Sequence, residues 1–142
     1  MKVSARNVFK GTISALQPGT VNAEVEVALG GGDALVAIVN MESVRTLELT
    51  EGMEVMALVK APWVMVMTNS SGVSLSARNR LTGTIKTVEN GSVNSEVLIS
   101  LPGGTEVAAV VTKDAVSELG LKPGVAATAV IKASDVILAM PA

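Results

Sequence analysis

Between residues 20 and 29 the chain alternates. Val21, Ala23, Val25, Val27 and Leu29 fall on one side, and Asn22, Glu24 and Glu26 on the other. A period of two is that of a half-buried β-strand. Residues 7–16 predict a strand before it, closed by the turn signal Gln17-Pro18-Gly19. Gly30-Gly31-Gly32-Asp33 predicts a hairpin turn into a third, nearly continuous apolar strand over residues 35–39. Residues 40–47 then read as a short helix. Asn40 suits the N-cap, and Glu42 lies in the first turn, where the helix dipole favours negative charge. A turn at Thr50-Glu51-Gly52 leads to a fourth strand over residues 53–60 and a fifth over 63–67.

The same order of elements follows again. Displaced by 72 residues, the sequence matches itself without a gap, with 25 identities in 64 positions between residues 4–67 and 76–139. Ser4-Ala5-Arg6-Asn7 recurs as Ser76-Ala77-Arg78-Asn79, and Lys60-Ala61 as Lys132-Ala133. The second helix is the plainer one: Thr112 caps it, Asp114 is in its first turn and Gly120 suits its left-handed end. Such self-similarity marks a duplication. The expected domains are residues 1–68 and 76–142, joined by a polar linker over 69–75 that begins Asn69-Ser70-Ser71-Gly72. Five strands with one helix between the third and fourth predict an all-β fold of two tandem OB-like five-stranded barrels. Closure into a barrel removes the edges that Val-rich strands would otherwise expose. A module of this size is near the lower limit for folding alone, so extensive contact between modules and between chains is expected.

Composition narrows the function. With 49% apolar and 17% charged residues in 142, the chain packs a core. One Phe, one Trp and no Tyr leave that core to aliphatic side chains and Met. A net charge of −2 and the missing aromatics argue against nucleic acid as a partner. No apolar run is long enough for a membrane helix and residues 1–7 carry no leader pattern, so a cytoplasmic location is expected. Without His or Cys there is no disulfide, no thiolate metal site and no ordinary nucleophile–base pair, which argues against an enzyme. No P-loop is present either.

What remains is binding chemistry. Ser4-Ala5-Arg6-Asn7 and Ser76-Ala77-Arg78-Asn79 each offer a hydroxyl, an exposed backbone beside a small Ala, a guanidinium fork and an amide. Lys60-Ala61-Pro62 and Lys132-Ala133-Ser134 add a cation next to a small residue, with a hydroxyl in the second copy alone. Such donors suit a tetrahedral oxyanion, which must be met from several sides. Gly19, Val21 and Asn22, with Gly91, Val93 and Asn94, form a third pair, read either as an anion nest or as an ordinary turn. Glu24, Glu26 and Glu96 read as a solvated strand face rather than cation ligands.

Taken in order, Ser-Ala-Arg-Asn, Gly-Thr-Ile, Val-Asn-Ala-Glu-Val, Gly-Gly, the Thr-capped helix ending Leu-Gly-Leu and Lys-Ala-Ser resemble the Mop (molbindin) family, here as a tandem pair. The resemblance covers essentially the whole chain. It implies molybdate or tungstate as ligand, no other cofactor, a homotrimer, and storage of the anion as the role. It implies one class of site in which Ser4-Ala5-Arg6 or Ser76-Ala77-Arg78 faces Lys60-Ala61-Pro62 or Lys132-Ala133-Ser134 of a neighbouring module. A second class, near the threefold axis, would use Val21-Asn22 and Val93-Asn94. Pro62 departs from the family's Ser and has no N–H to compensate, so sites containing it are expected to bind more weakly. The competing readings are an oxyanion-sensing regulatory or interaction module and a structural oligomeriser without ligand.

Overall fold

The structure is a computed structural model that describes residues 2–69 and 72–140; Ser70 and Ser71 of the expected linker lie outside the described residues. The first copy comprises β1 (Asn7–Pro18), β2 (Asn22–Gly30), β3 (Asp33–Asn40), α1 (Met41–Thr46), β4 (Glu54–Val59), a 3-10 turn over Ala61–Trp63 and β5 (Met65–Met67). The second comprises β6 (Asn79–Asn90), β7 (Asn94–Ser100), β8 (Glu106–Thr112), α2 (Lys113–Leu119), β9 (Ala126–Ile131), a 3-10 turn over Ala133–Asp135 and β10 (Ile137–Ala139). The elements read from the sequence are present. The stretch expected as one fifth strand is instead a turn and a three-residue strand, because Pro62 sits in the first turn of a helix, where its fixed φ and missing N–H cost nothing.

The long first strand of each copy serves two partners. Residues 7–12 of β1 pair with β4, and residues 12–18 pair with β2 after a bulge at Ser14 that bends the strand. β6 repeats this with the bulge at Lys86. Both helices are capped as expected: the Asn40 side chain accepts from the Ser43 N–H at 2.7 Å, that of Thr112 from the Ala115 N–H at 3.1 Å, and Gly120 takes φ 65°.

The sequence predicts that each module keeps its own fifth strand. Instead the copies trade them. The sheets run β10-β4-β1-β2-β3 and β5-β9-β6-β7-β8. Ile137, Leu138 and Ala139 pair with Leu58, Ala57 and Met56 of the first copy, while Met65, Val66 and Met67 pair with Val130, Ala129 and Thr128 of the second. The 3-10 turns cause the exchange: Ala61–Trp63 carries the chain onto β8, and Ala133–Asp135 onto β3. Val64, Val136 and Leu138 then anchor the short strands, at 2%, 3% and 8% exposure. The end strands of each sheet, β10 with β3 and β5 with β8, also touch, which closes two OB-like barrels. One buried aliphatic cluster, including Val25, Leu35 and Val55 with Val97, Val107 and Ile131, runs through both copies.

Two further contacts bind the copies. The β2–β3 and β7–β8 hairpins cross so closely that a Cβ on Gly31, already at φ 60°, would collide with the carbonyl of Gly103. Asp33 accepts from the Gly103 and Thr105 N–H groups at 3.1 and 3.3 Å. No helix among the described residues is long and apolar enough to cross a membrane.

Candidate functional site

Each Lys-Ala pair stands where β4 or β9 ends and a 3-10 turn begins, with the Lys extended as N-cap and the Ala buried. The Ser-Ala-Arg block of the same copy lies alongside, since β1 and β6 pair with β4 and β9 from Asn7 and Asn79 onward. In the second copy this leaves a cavity of about 380 Å³ lined by Ser76, Ala77, Arg78, Lys132, Ala133 and Ser134, with an apolar wall that includes Met65. In the first copy the cavity is smaller, about 160 Å³, and its lining includes Ser4, Ala5, Lys60, Trp63 and Ile137. The blocks paired in the sequence reading therefore meet, but within one copy. The other copy contributes a wall, Met65 from β5 or Ile137 from β10, on the exchanged strand.

The four-residue blocks divide by function. Ser4, Ala5, Ser76 and Ala77 face the cavities, whereas the amides of Asn7 and Asn79 hold the other copy. The Asn7 side chain donates to the Ala108 carbonyl and accepts from the Ala108 N–H, both at 2.8 Å. Asn79 does the same to Val36, at 2.8 and 2.7 Å. Each Asn is 2% exposed, so these amides satisfy a backbone that would otherwise be orphaned, and are committed there rather than to a ligand. Arg6 bonds Glu96 at 3.0 Å, and Arg78 grips Glu24 through both guanidinium nitrogens at 2.6 and 2.9 Å. Glu24 and Glu96, read as a solvated face, thus pair across the copies, in partly exposed bridges of modest strength. Arg78 also lines its cavity; Arg6 does not line the smaller one, and Pro62 is exposed outside it.

The turns of the third pair differ from the sequence reading in mechanism. The Gly19 and Gly91 N–H groups donate to the carbonyls of Asn22 and Asn94, each at 2.9 Å, and are not free for a nest. Neither glycine is left-handed. Gly is needed because a Cβ on Gly19 would lie 2.6 Å from the Asn22 oxygen. Gly19 and Asn22 do border an open cavity of about 440 Å³ with Gln17, Pro18, Ala23, Glu24 and Ile38. Val21, next to Asn22, and its equivalent Val93 are each 70% exposed.

Another cavity, of about 330 Å³, lies between the copies and carries Arg6 and Lys10, but also Glu106, which the Lys86 ammonium bonds at 2.6 Å. Its mixed charge suits an anion less well than the Ser–Lys cavities. Among the described residues no group of acidic side chains is gathered to hold a cation. The Ser–Lys cavities instead combine an ammonium, hydroxyls and small-residue backbone, a donor set for an anion. Sequence reasoning missed Trp63, Met65 and Ile137 as walls. Trp63, beside Pro62, was open to notice; Met65 and Ile137 were not, because their place depends on the strand exchange.

Comparison with known proteins places the chain in a family. The TOBE domain profile matches residues 3–66 and again 75–138. A structure described as the cytoplasmic molybdate-binding protein ModG with molybdate bound is 66% identical, with a TM-score of 0.95 over 99% of this chain and 100% of that one. The molybdenum-pterin-binding protein MopA of Rhodobacter capsulatus is 43% identical over 99% of this chain and 53% of its own length. The DNA-binding transcriptional dual regulator ModE of Escherichia coli K12 is 36% identical over 98% of this chain and 52% of its own. The chain spans about half the length of the curated relatives it matches.

Proposed function

Because this chain belongs to the TOBE-domain family, with two domains in tandem, we propose that it binds molybdate reversibly in the cytoplasm, without catalysis, and serves to store the anion. The observation that carries this reading is the pair of Ser–Lys cavities, each joining a hydroxyl, an ammonium and small-residue backbone. Its likeness to a molybdate-bound structure supports the choice of anion.

The dianion's charge would be met by Lys132, Arg78 and the hydroxyls of Ser76 and Ser134 in one site, and by Lys60 and Ser4 in the other. Away from bulk water each such contact is stronger. Tungstate, of like charge and shape, would occupy the same sites; sulfate, being smaller, would fit loosely. A second class of site beside Asn22 and Asn94, with Val21 and Val93, would form on assembly into a homotrimer, which would also cover those exposed valines. The domains proposed are residues 1–68 and 76–142.

The test is a thermal melt of anion-stripped protein with molybdate, tungstate, sulfate and phosphate at equal concentration. Binding to the folded state stabilises by mass action, about 2.7 kcal/mol at a hundredfold excess over Kd. A rise with molybdate and tungstate but not sulfate is expected; no rise in folded protein would refute anion storage. A second reading, an oxyanion-sensing part of a regulator, is favoured by the regulators of about twice this length among the relatives. It requires a protein partner whose binding changes with the anion, readable by gel filtration of the mixture.

A further inference from the structure

The two Ser–Lys cavities differ at one oxidisable position. Met65, on β5, lines the cavity of the second copy, and Ile137 takes the equivalent place in the first. Met65 is 59% exposed, whereas Met41, Met53, Met56, Met67 and Met140 are half-buried. It stands in a three-residue strand paired along one edge to Val130. Such a strand yields readily, so the thioether is accessible by position and by local opening.

We propose that Met65 is a peroxide-sensitive modification site that weakens anion binding in the second copy's cavity and leaves the first copy's untouched. A cavity that admits an oxyanion admits hydrogen peroxide, which is small and neutral. A sulfur lone pair attacks one peroxide oxygen. An S–O bond forms as the O–O bond breaks, the sulfur loses two electrons, and the second peroxide oxygen leaves as water, taking the proton of the transferred oxygen. The product is the sulfoxide, which converts an apolar, flexible wall into a polar one. Its oxygen bears partial negative charge and accepts hydrogen bonds. Facing Ser76, Arg78, Lys132 and Ser134, it competes for the donors an anion needs and repels the anion itself. Ile137 has no such chemistry. The loss of affinity rests on the oxyanion reading of this cavity; the selective oxidation does not.

The experiment treats the full chain and Met65→Leu with limiting hydrogen peroxide, maps added oxygen by peptide mass spectrometry, and titrates each sample with molybdate before and after. Oxygen is expected on Met65 ahead of the other five described methionines. Oxidised wild type should lose affinity several-fold in about half of its Ser–Lys sites, and Met65→Leu should keep its affinity through the same treatment. Oxygen appearing on Met65 no sooner than elsewhere would overturn the inference. So would unchanged binding by the oxidised protein, or an equal loss in Met65→Leu. Untreated protein that binds no molybdate would remove the oxyanion reading and, with it, any effect of Met65 on binding.

Discussion

The two copies share their grip and differ in their cavities. Asn7 and Asn79, Arg6 and Arg78, and Glu24 and Glu96 are identical and make the same contacts in opposite directions across the pair. Around the cavities Ser4 and Ser76, Ala5 and Ala77, and Lys60 and Lys132 are kept, while Pro62 faces Ser134, Trp63 faces Asp135 and Met65 faces Ile137 as counterparts. Each four-residue block thus carries two placements: Ser and Ala line the cavity, Asn holds the other copy, and Arg reaches across the interface, with Arg78 also lining its cavity.

The strongest way to break this equivalence is to remove residues 137–140. The loss should fall on the first copy, whose β4 loses one of its two partners, at a cost of at least about 3 kcal/mol given the buried Leu138. Hydrogen exchange at residues 56–58 should accelerate far more than at 126–128. Equal acceleration would contradict the strand exchange.

Next come the clamps. Asn7→Ala leaves the N–H and carbonyl of the buried Ala108 unpaired, a cost of about 2–4 kcal/mol. Asn79→Ala should cost about 1 kcal/mol less, because Val36 is only half-buried and water can replace the amide. Urea denaturation midpoints measure both, and the reverse order would show that burial does not set the difference.

The crossed hairpins give a third contrast. Gly31→Ala drives a Cβ into the rigid Gly103 backbone at a left-handed position, for about 2 kcal/mol. Gly103→Ala meets the Asp33 carboxylate, a side chain that can swing away, and should cost less in thermal melts.

Smaller effects sharpen the comparison of sites. Pro62 stands outside the first cavity between two of its lining residues, Lys60 and Trp63, and Pro62→Ser should offer there the hydroxyl that Ser134 gives the second. One net hydrogen bond of about 1 kcal/mol corresponds to about fivefold tighter molybdate binding at those sites. A superimposable isotherm would sink the idea that Pro62 weakens them. Smallest of all, Glu24→Gln should lower stability by no more than about 0.5 kcal/mol, and by less in high salt, since its bridge to Arg78 is more than a third exposed on average.

Most of the fold was legible because its signals are local. Alternation marks β2, Asn40 and Thr112 mark the helix starts, Gly120 marks a helix end, and the repeat transfers each reading to the other copy. The strand exchange was not legible. A period of two says that Met65–Met67 is extended, but not whose sheet it joins, and that choice is made by the direction in which the Ala61–Trp63 turn sends the chain. The cavities were legible as a set of donors and not as a geometry. Nothing near Asn7 in sequence distinguishes an amide that binds a ligand from one that binds Ala108, a hundred and one residues away.

The exchanged strands also order events during synthesis. β4 leaves the ribosome early, yet the strand that covers it, Ile137–Ala139, is made long after. Until then the first barrel stands open along a Val-rich edge. Completion of the last strand of the second copy is therefore the step that seals the first, so that a chain interrupted just before Ile137 holds all five strands of the second barrel and leaves the first one open. In this molecule the half that is made first is the last to be finished.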